Sequence, residues 1–227
     1  MKKGAGYLAA EWVQEKSTVG IGTGSTVHYF IKRLGQRCRG GLKIQAICSS
    51  VHSYELAKAE GIPLIDSDTV TSVDLTVDGA DEIDHSYRMI KGGGGALLRE
   101  KILAYASKRM VVVVDETKWV DRLGKRKLPV ELLPFAFQLT IQQMKKKGFE
   151  GTIRKTKEGA IYYTDNGNMI YDITLKSPSS SSPEEENKKL IAIPGVVETG
   201  FFFHAATDLL IGHQGGTVKH IEIKRRS

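Results

Sequence analysis

Cysteine is nearly absent from this chain: Cys38 and Cys48 are the only two among 227 residues. That excludes a disulfide-stapled scaffold, and two isolated thiols suit a reducing compartment, so a cytoplasmic protein is expected. Long apolar runs are also missing. The longest, Met110–Val114 and Phe201–Ala206, fall far short of the roughly 20 residues a membrane-spanning helix needs, so no membrane partner is expected. The opening MKKGAGYLAAEWVQ begins positively, but Glu11 breaks its apolar stretch and no secretory cleavage pattern follows. None of the six histidines forms a pair at zinc-ligand spacing, and no calcium-loop spacing occurs, so no metal is expected. The net charge of +7 comes from 33 Lys+Arg against 26 Asp+Glu. These basic residues are scattered apart from Lys145–Lys147 and Lys224–Arg226, and no aromatic-interleaved basic motif accompanies them. A nucleic-acid partner is therefore not expected, whereas a positive field suits an anionic small molecule.

What is present fits an ordinary folded enzyme. A 41% hydrophobic and 26% charged composition argues against disorder, and the length allows one large domain or one domain with a small companion. The first half alternates strands and helices: Ser17–Gly22, then a helix over Thr26–Leu34; Leu42–Cys48, then a helix over Val51–Ala59; Asp74–Val77; a helix over Ala96–Ala106; and Met110–Val114. This alternation predicts a doubly wound parallel α/β sheet, which places ligands at the carboxyl ends of its strands. After Lys125 the pattern changes. A strand over Leu128–Pro134 precedes a helix ending near Lys147, then strand-like runs at Gly151–Lys155, Ala160–Thr164 and Met169–Leu175, with turn signals at Glu158-Gly159 and Asn166-Gly167. Ser177–Glu186 reads as an exposed loop leading into an N-capped helix over Pro183–Ile191. Runs at Asp208–Ile211 and Val218–Ile223 return to the first domain. The expected division is residues 1–127 joined by 204–227, with 128–203 as a small α+β domain.

Three segments carry chemistry. Gly22-Thr23-Gly24-Ser25-Thr26 is a glycine-rich turn between strand and helix, able to offer backbone N–H groups, hydroxyls and a helix N-terminus to an anion. It lacks the Gly-Lys-Ser/Thr ending of a nucleotide loop and the full dinucleotide fingerprint, and a ligand-free tight turn explains it as readily. Asp78-Gly79-Ala80-Asp81-Glu82-Ile83-Asp84 sets four acids within seven residues after a strand. Such crowding calls for metal, protonation, a cationic partner or solvent. Proton transfer on sugar hydroxyls is the catalytic reading and a solvated acidic loop the plain one. Lys91-Gly92-Gly93-Gly94-Gly95 is followed by Glu100, about one and a half turns into a helix. Four glycines in succession are costly to order, which suits a loop that lies flat against a ligand. Taken alone, Glu100 is an ordinary surface glutamate. Together, the three segments fit a site for a phosphorylated polyol.

In order along the chain, GTGST, DGADEID, KGGGGALLREK, LPVELLPFA and AIPGVVETG resemble ribose-5-phosphate isomerase of type A, from about Lys2 to the last strands. The resemblance implies a Rossmann-like domain with a smaller α+β, ferredoxin-like domain. It implies interconversion of D-ribose 5-phosphate and D-ribulose 5-phosphate in the non-oxidative pentose phosphate pathway, with no cofactor, by a homodimer or homotetramer. Substrate-binding residues would be Thr23, Gly24, Ser25, Thr26, Asp78, Gly79, Ala80, Asp81, Lys91, Gly92, Gly93, Gly94 and Lys118. Catalytic residues would be Glu100, Asp81, Lys91 and Asp78. In this reading Asp81, aided by Asp78, shuttles protons during ring opening, and Glu100 moves one between C2 and C1. Lys91 and the glycine amides stabilise the enediolate. The turn at Thr23–Thr26, with a lysine, holds the phosphate; which lysine does so stays open. Gly95 stands where Ala or Gly is expected and would only add flexibility. A sugar-phosphate-sensing module and a related lactonase or deaminase are the alternatives; the former has no need of a base.

Overall fold

Strands with no polar face, such as Met110–Val114, must be covered on both sides, which calls for a sheet between helices. The computed structural model describes residues 1–175 and 181–223 and contains that sheet. Its six strands lie in the order Val218–Glu222, Asp208–Gly212, Ser107–Asp115, Val73–Asp78, Thr18–Ile21, Gln45–Cys48. Every pairing is parallel except at the edge, where Val218–Glu222 runs antiparallel to Asp208–Gly212. Counted in chain order within this sheet, the strands run 2-1-3-4-5-6. The order reverses between Thr18–Ile21 and Val73–Asp78, and at such a switch an open α/β sheet leaves a crevice beyond the strand carboxyl ends. These two strands lead into GTGST and DGAD.

The helix after GTGST spans Ser25–Arg39, longer than the Thr26–Leu34 read from the sequence. Val27, Phe30, Ile31 and Leu34 recur at helical spacing and are all buried. They share a core with Ile21, Val77, Val111, Val113 and Leu210. Phe30 is 0% exposed, so truncation to alanine would cost about 3–5 kcal/mol. This first unit comprises Met1–Ala80, Arg99–Trp119 and the chain from His204 onward.

The second unit comprises Asp81–Leu98 and Val120–Phe203. From Leu128 it reads strand (Leu128–Leu132), helix (Phe137–Lys146), strand (Gly151–Ile153), strand (Met169–Ile173), helix (Pro183–Ile191), strand (Val196–Thr199). The resulting antiparallel sheet has the spatial order 4-1-3-2, the βαββαβ arrangement of ferredoxin-like domains. Leu128, Val130, Leu132, Met144, Tyr171 and Leu190 form its core. The Pro183–Ile191 helix starts with a capping box, Ser182 accepting from Glu185 N at 3.2 Å and Glu185 accepting from Ser182 N at 2.9 Å.

Some expectations differ from what is found. Ala160–Thr164 forms only isolated bridges, Lys155 with Ile161 and Tyr163 with Met169, because the Thr164–Asn168 turn closes directly on it. The two units divide the chain differently from residues 1–127 joined by 204–227 and 128–203, since Asp81–Leu98 and residues 120–127 group with the later ones. The physical reason is pairing: Met89–Ile90 lies antiparallel to both Glu82–Asp84 and Phe201–Phe202. Residues 176–180, which take in part of the serine-rich stretch, and residues 224–227, which take in the basic tail, lie outside the described residues.

Candidate active site

In the first unit the GTGST turn is built around Asp78. This carboxylate, 0% exposed at the end of Val73–Asp78, accepts from Thr23 N at 3.0 Å and Gly79 N at 2.7 Å through Oδ1. It lies so close to the neighbouring strand that a Cβ on Gly22 would sit 2.0 Å from its Cγ. Gly22 is therefore required by the approach of a side chain. Thr23 turns its hydroxyl inward, toward Ser49 Oγ at 2.9 Å, Ser50 Oγ at 2.8 Å and Ser53 Oγ at 3.3 Å. Ser53 in turn donates to Gly22 O at 2.6 Å. Thr23, a substrate contact in the sequence reading, thus uses its hydroxyl to hold the turn. The outward groups are Gly24 and Ser25, both exposed, at the start of a 15-residue helix with no side-chain cap. Lys2 Nζ donates to Ser25 Oγ at 2.8 Å, which brings a cation to an uncapped helix N-terminus. Sequence reasoning left the lysine beside this turn unnamed; 23 residues separate Lys2 from Ser25, and no local pattern links them.

Glu100, also in the first unit, is 3% exposed and lies in the first turn of the Leu97–Ala106 helix. That helix starts at Leu97, so the carboxylate sits closer to the positive helix end than the sequence suggested. A surface glutamate is thus excluded. Lys118 is half-buried in the short Glu116–Lys118 helix, whose N-terminus is capped by Asp115, the acceptor of Thr117 N at 3.1 Å.

The second unit holds Asp81 and the glycine loop. Asp81 N donates to Ile90 O at 2.8 Å, and Asp81 Oδ2 accepts from Gly93 N at 2.7 Å. Lys91 is 2% exposed, its backbone N–H donates to Gly200 O at 2.9 Å, and its Nζ lies 5.4 Å from the Phe202 ring centroid. Glu82 and Asp84 answer the question of acid crowding. Glu82 accepts from Gly124 N at 2.6 Å and Arg126 N at 2.5 Å, and Asp84 pairs with Arg88 at 2.7 Å. These two buried acids are structural, satisfied by amides and one guanidinium. Gly95 has φ +85°, and a Cβ there would lie 2.2 Å from Tyr162 Oη, so this fourth glycine is demanded by the packing and is not a source of added flexibility. Among the described residues no group of three or more His, Cys, Asp or Glu is placed to hold a metal ion, and no helix is long and apolar enough to cross a membrane.

A doubly wound unit with an uncapped, lysine-flanked turn at its switch point, and a ferredoxin-like unit with a carboxylate-held glycine loop, define an α/β enzyme for small anionic substrates. The family description that matches residues 45–216 is ribose 5-phosphate isomerase A (phosphoriboisomerase A). A relative named ribose-5-phosphate isomerase A from Protochlamydia amoebophila is 50% identical, over 96% of this chain and 94% of its own length. Another of that name from Listeria innocua is 43% identical, over 97% and 98%. The solved ribose 5-phosphate isomerase A from Methanocaldococcus jannaschii superposes with a TM-score of 0.90 at 37% identity, covering 98% of each chain. A D-ribose-5-phosphate isomerase solved in complex with phospho-erythronic acid gives 0.90 at 36%, covering 98% of this chain and 97% of that one. The chain belongs to the ribose 5-phosphate isomerase A family and is an isomerase.

Proposed function

We propose that the chain interconverts D-ribose 5-phosphate and D-ribulose 5-phosphate through an enediolate, with Glu100 as the proton acceptor. The observation that carries this reading is the burial of Glu100, a carboxylate 3% exposed in the first turn of the helix that follows the glycine loop. The neighbour solved with phospho-erythronic acid, a phosphorylated four-carbon sugar acid, supports a ligand with a phosphate at one end and a second anion at the other.

In this mechanism the phosphate rests on the Ser25–Thr26 helix start with Lys2 as counter-charge, and this remote anchor positions the sugar. Asp78 fixes the backbone of the turn and of Gly79–Ala80. Asp81 takes the O1 hydroxyl proton as the bond from C1 to the ring oxygen breaks, and returns a proton to that oxygen. Glu100 removes the proton on C2, and the electron pair moves onto the C1 carbonyl to give the enediolate. Lys91 and the amides of Gly92–Gly94 stabilise the negative charge as it forms, and Lys118 contacts the sugar. Asp81 carries the O2 hydroxyl proton to O1 and Glu100 delivers its proton to C1 as the C2 carbonyl forms, so atoms, charge and electrons balance within the substrate. A sensing module would need no such base, and a buried Glu100 disfavours it.

We also propose a cytoplasmic homodimer or homotetramer. Cys38 and Cys48 are free thiols, and Ile102 and Tyr105 expose 59% and 51% of their surfaces on one helix.

Glu100→Gln keeps the shape and removes the base. Turnover of ribose 5-phosphate, followed by ketose formation, is expected to fall about 10²–10⁴-fold with affinity changed only a few-fold. Near-normal turnover in this variant would dismiss Glu100 as the acceptor.

A further inference from the structure

The loop closes on itself at one point, Gly95 N donating to Gly92 O at 2.9 Å, but the peptide planes of Gly92–Gly94 turn over with little steric resistance and need support from outside. Arg154, just past the Gly151–Ile153 strand, and Asp172, on the Met169–Ile173 strand, lie against them. Arg154 Nε donates to Asp172 Oδ2 at 2.9 Å and Nη2 to Oδ1 at 2.5 Å, a two-pronged pair with both side chains about 15% exposed (16% and 15%). The guanidinium's third nitrogen, Nη1, is thereby aimed at the loop, where it donates to Gly92 O at 2.9 Å and Gly93 O at 3.2 Å.

We propose that the Arg154–Asp172 pair is a positioning device for the isomerisation, locking two successive peptide planes of the Lys91–Gly94 loop. The proposal rests on the reading of that loop as a wall of the substrate site. Planarity carries the argument. In a trans peptide the carbonyl and the amide of one plane point in opposite directions. The plane whose oxygen is Gly92 O has the Gly93 N–H as its other end, and that N–H is the one donated to Asp81 Oδ2 at 2.7 Å. Arg154 therefore grips one end of a peptide whose other end orients the carboxylate assigned to ring opening. Charge on the guanidinium polarises that peptide and strengthens its hydrogen bond to Asp81. The next plane has Gly93 O on Arg154, which directs the Gly94 N–H away from the cation, as a donor to a developing oxyanion must be. Tyr162 closes the same loop further along, its Oη 3.4 Å from Gly94 O and its ring 5.9 Å from the Arg154 guanidinium. Lysine cannot replace this arginine, because a single ammonium cannot fork onto a carboxylate and still reach two carbonyls.

Two variants separate positioning from plain stability. Arg154→Lys keeps the charge. Arg154→Met combined with Asp172→Leu replaces a partly buried ion pair by an apolar one, an exchange that often leaves stability unchanged. Each is assayed on the full chain for kcat and KM with ribose 5-phosphate and for thermal midpoint, beside Lys91→Ala. The expected result is a kcat lowered about tenfold to a hundredfold in both Arg154 variants, with KM within a few-fold and faster exchange of the Gly93 and Gly94 amides. Wild-type kcat and exchange in a folded Arg154 variant overturns the assignment, and Arg154→Lys decides alone if the double variant does not fold. Lost turnover in Lys91→Ala with full turnover in the Arg154 variants removes Arg154 only. Full turnover in Lys91→Ala as well removes the loop from the reaction, and the proposed function with it.

Discussion

At position 22 one hydrogen atom is all the space allows. An alanine methyl would lie 2.0 Å from Asp78 Cγ and 2.1 Å from its Oδ1, and this carboxylate holds the Thr23 and Gly79 amides. Gly22→Ala is expected to lose about 1–3 kcal/mol through overpacking and to lower turnover as the turn shifts. Thermal unfolding together with a turnover assay checks this; an unchanged midpoint with unchanged kcat would show that Asp78 can move aside freely. At this scale the sequence was legible by residue type and less so by role. The glycines and acids of the three segments stand out because they are improbable as packing. Their division of labour does not, because a hydroxyl turned inward, as at Thr23, and an acid spent on backbone amides, as at Glu82, read the same as functional ones. Lys2 and Arg154 gave no signal, since each meets its partners across distant stretches of chain.

The strand–turn–helix element from Thr18 to Arg39 is the part most fully written in the sequence. Its apolar strand, its glycines and the helical spacing of Val27, Phe30, Ile31 and Leu34 all point to one structure, and the structure has it. The element also joins separate observations into a prediction. The helix starts without a side-chain cap, Ser25 is exposed, and Lys2 lies 2.8 Å from its hydroxyl. If this end takes the phosphate, Lys2→Ala and Thr26→Ala should each raise KM for ribose 5-phosphate, about tenfold for the lysine, whose charge-assisted contact is worth about 1.5–3 kcal/mol. Inhibition by free ribose should change far less. Equal losses with and without the phosphate would assign the turn another role. The short strands Glu82–Asp84, Met89–Ile90 and Phe201–Phe202 were illegible as elements, because two or three residues show no periodicity.

For the chain as a whole, the change in pattern after Lys125 was a real signal of a second architecture, and local periodicity could not reveal which earlier segment pairs with it. The large sheet carries its own long-range logic in charge. Asp208 on one strand accepts from Arg109 Nε and Nη2, both at 2.8 Å, on the neighbouring strand, and from His220 Nε2 at 2.8 Å on the other neighbour. Burial pushes this carboxyl up, but the bonds from Arg109, His220 and Thr207 outweigh it and hold its pKa down at about 2. Asp74, on another strand of the sheet, is lowered too, first by its bond from Lys108 and then by the Thr18 amide. Because both folded values lie below the ordinary carboxylate range, the unfolded chain binds more protons as pH falls. The stabilisation is thus complete above about pH 4–5, where unfolded aspartate is ionised, and is lost as pH drops toward 2. For Asp208 it is worth about 1–2 kcal/mol, less than the full shift implies because Arg109 and His220 are partly exposed and screened by solvent. Asp208→Asn should therefore lower stability near neutrality and flatten the acid limb between about pH 4 and pH 2, where the wild-type protein loses this contribution. Urea unfolding at a series of pH values measures both effects. Parallel acid limbs for the two proteins would show that the three strands are not fastened through this carboxylate.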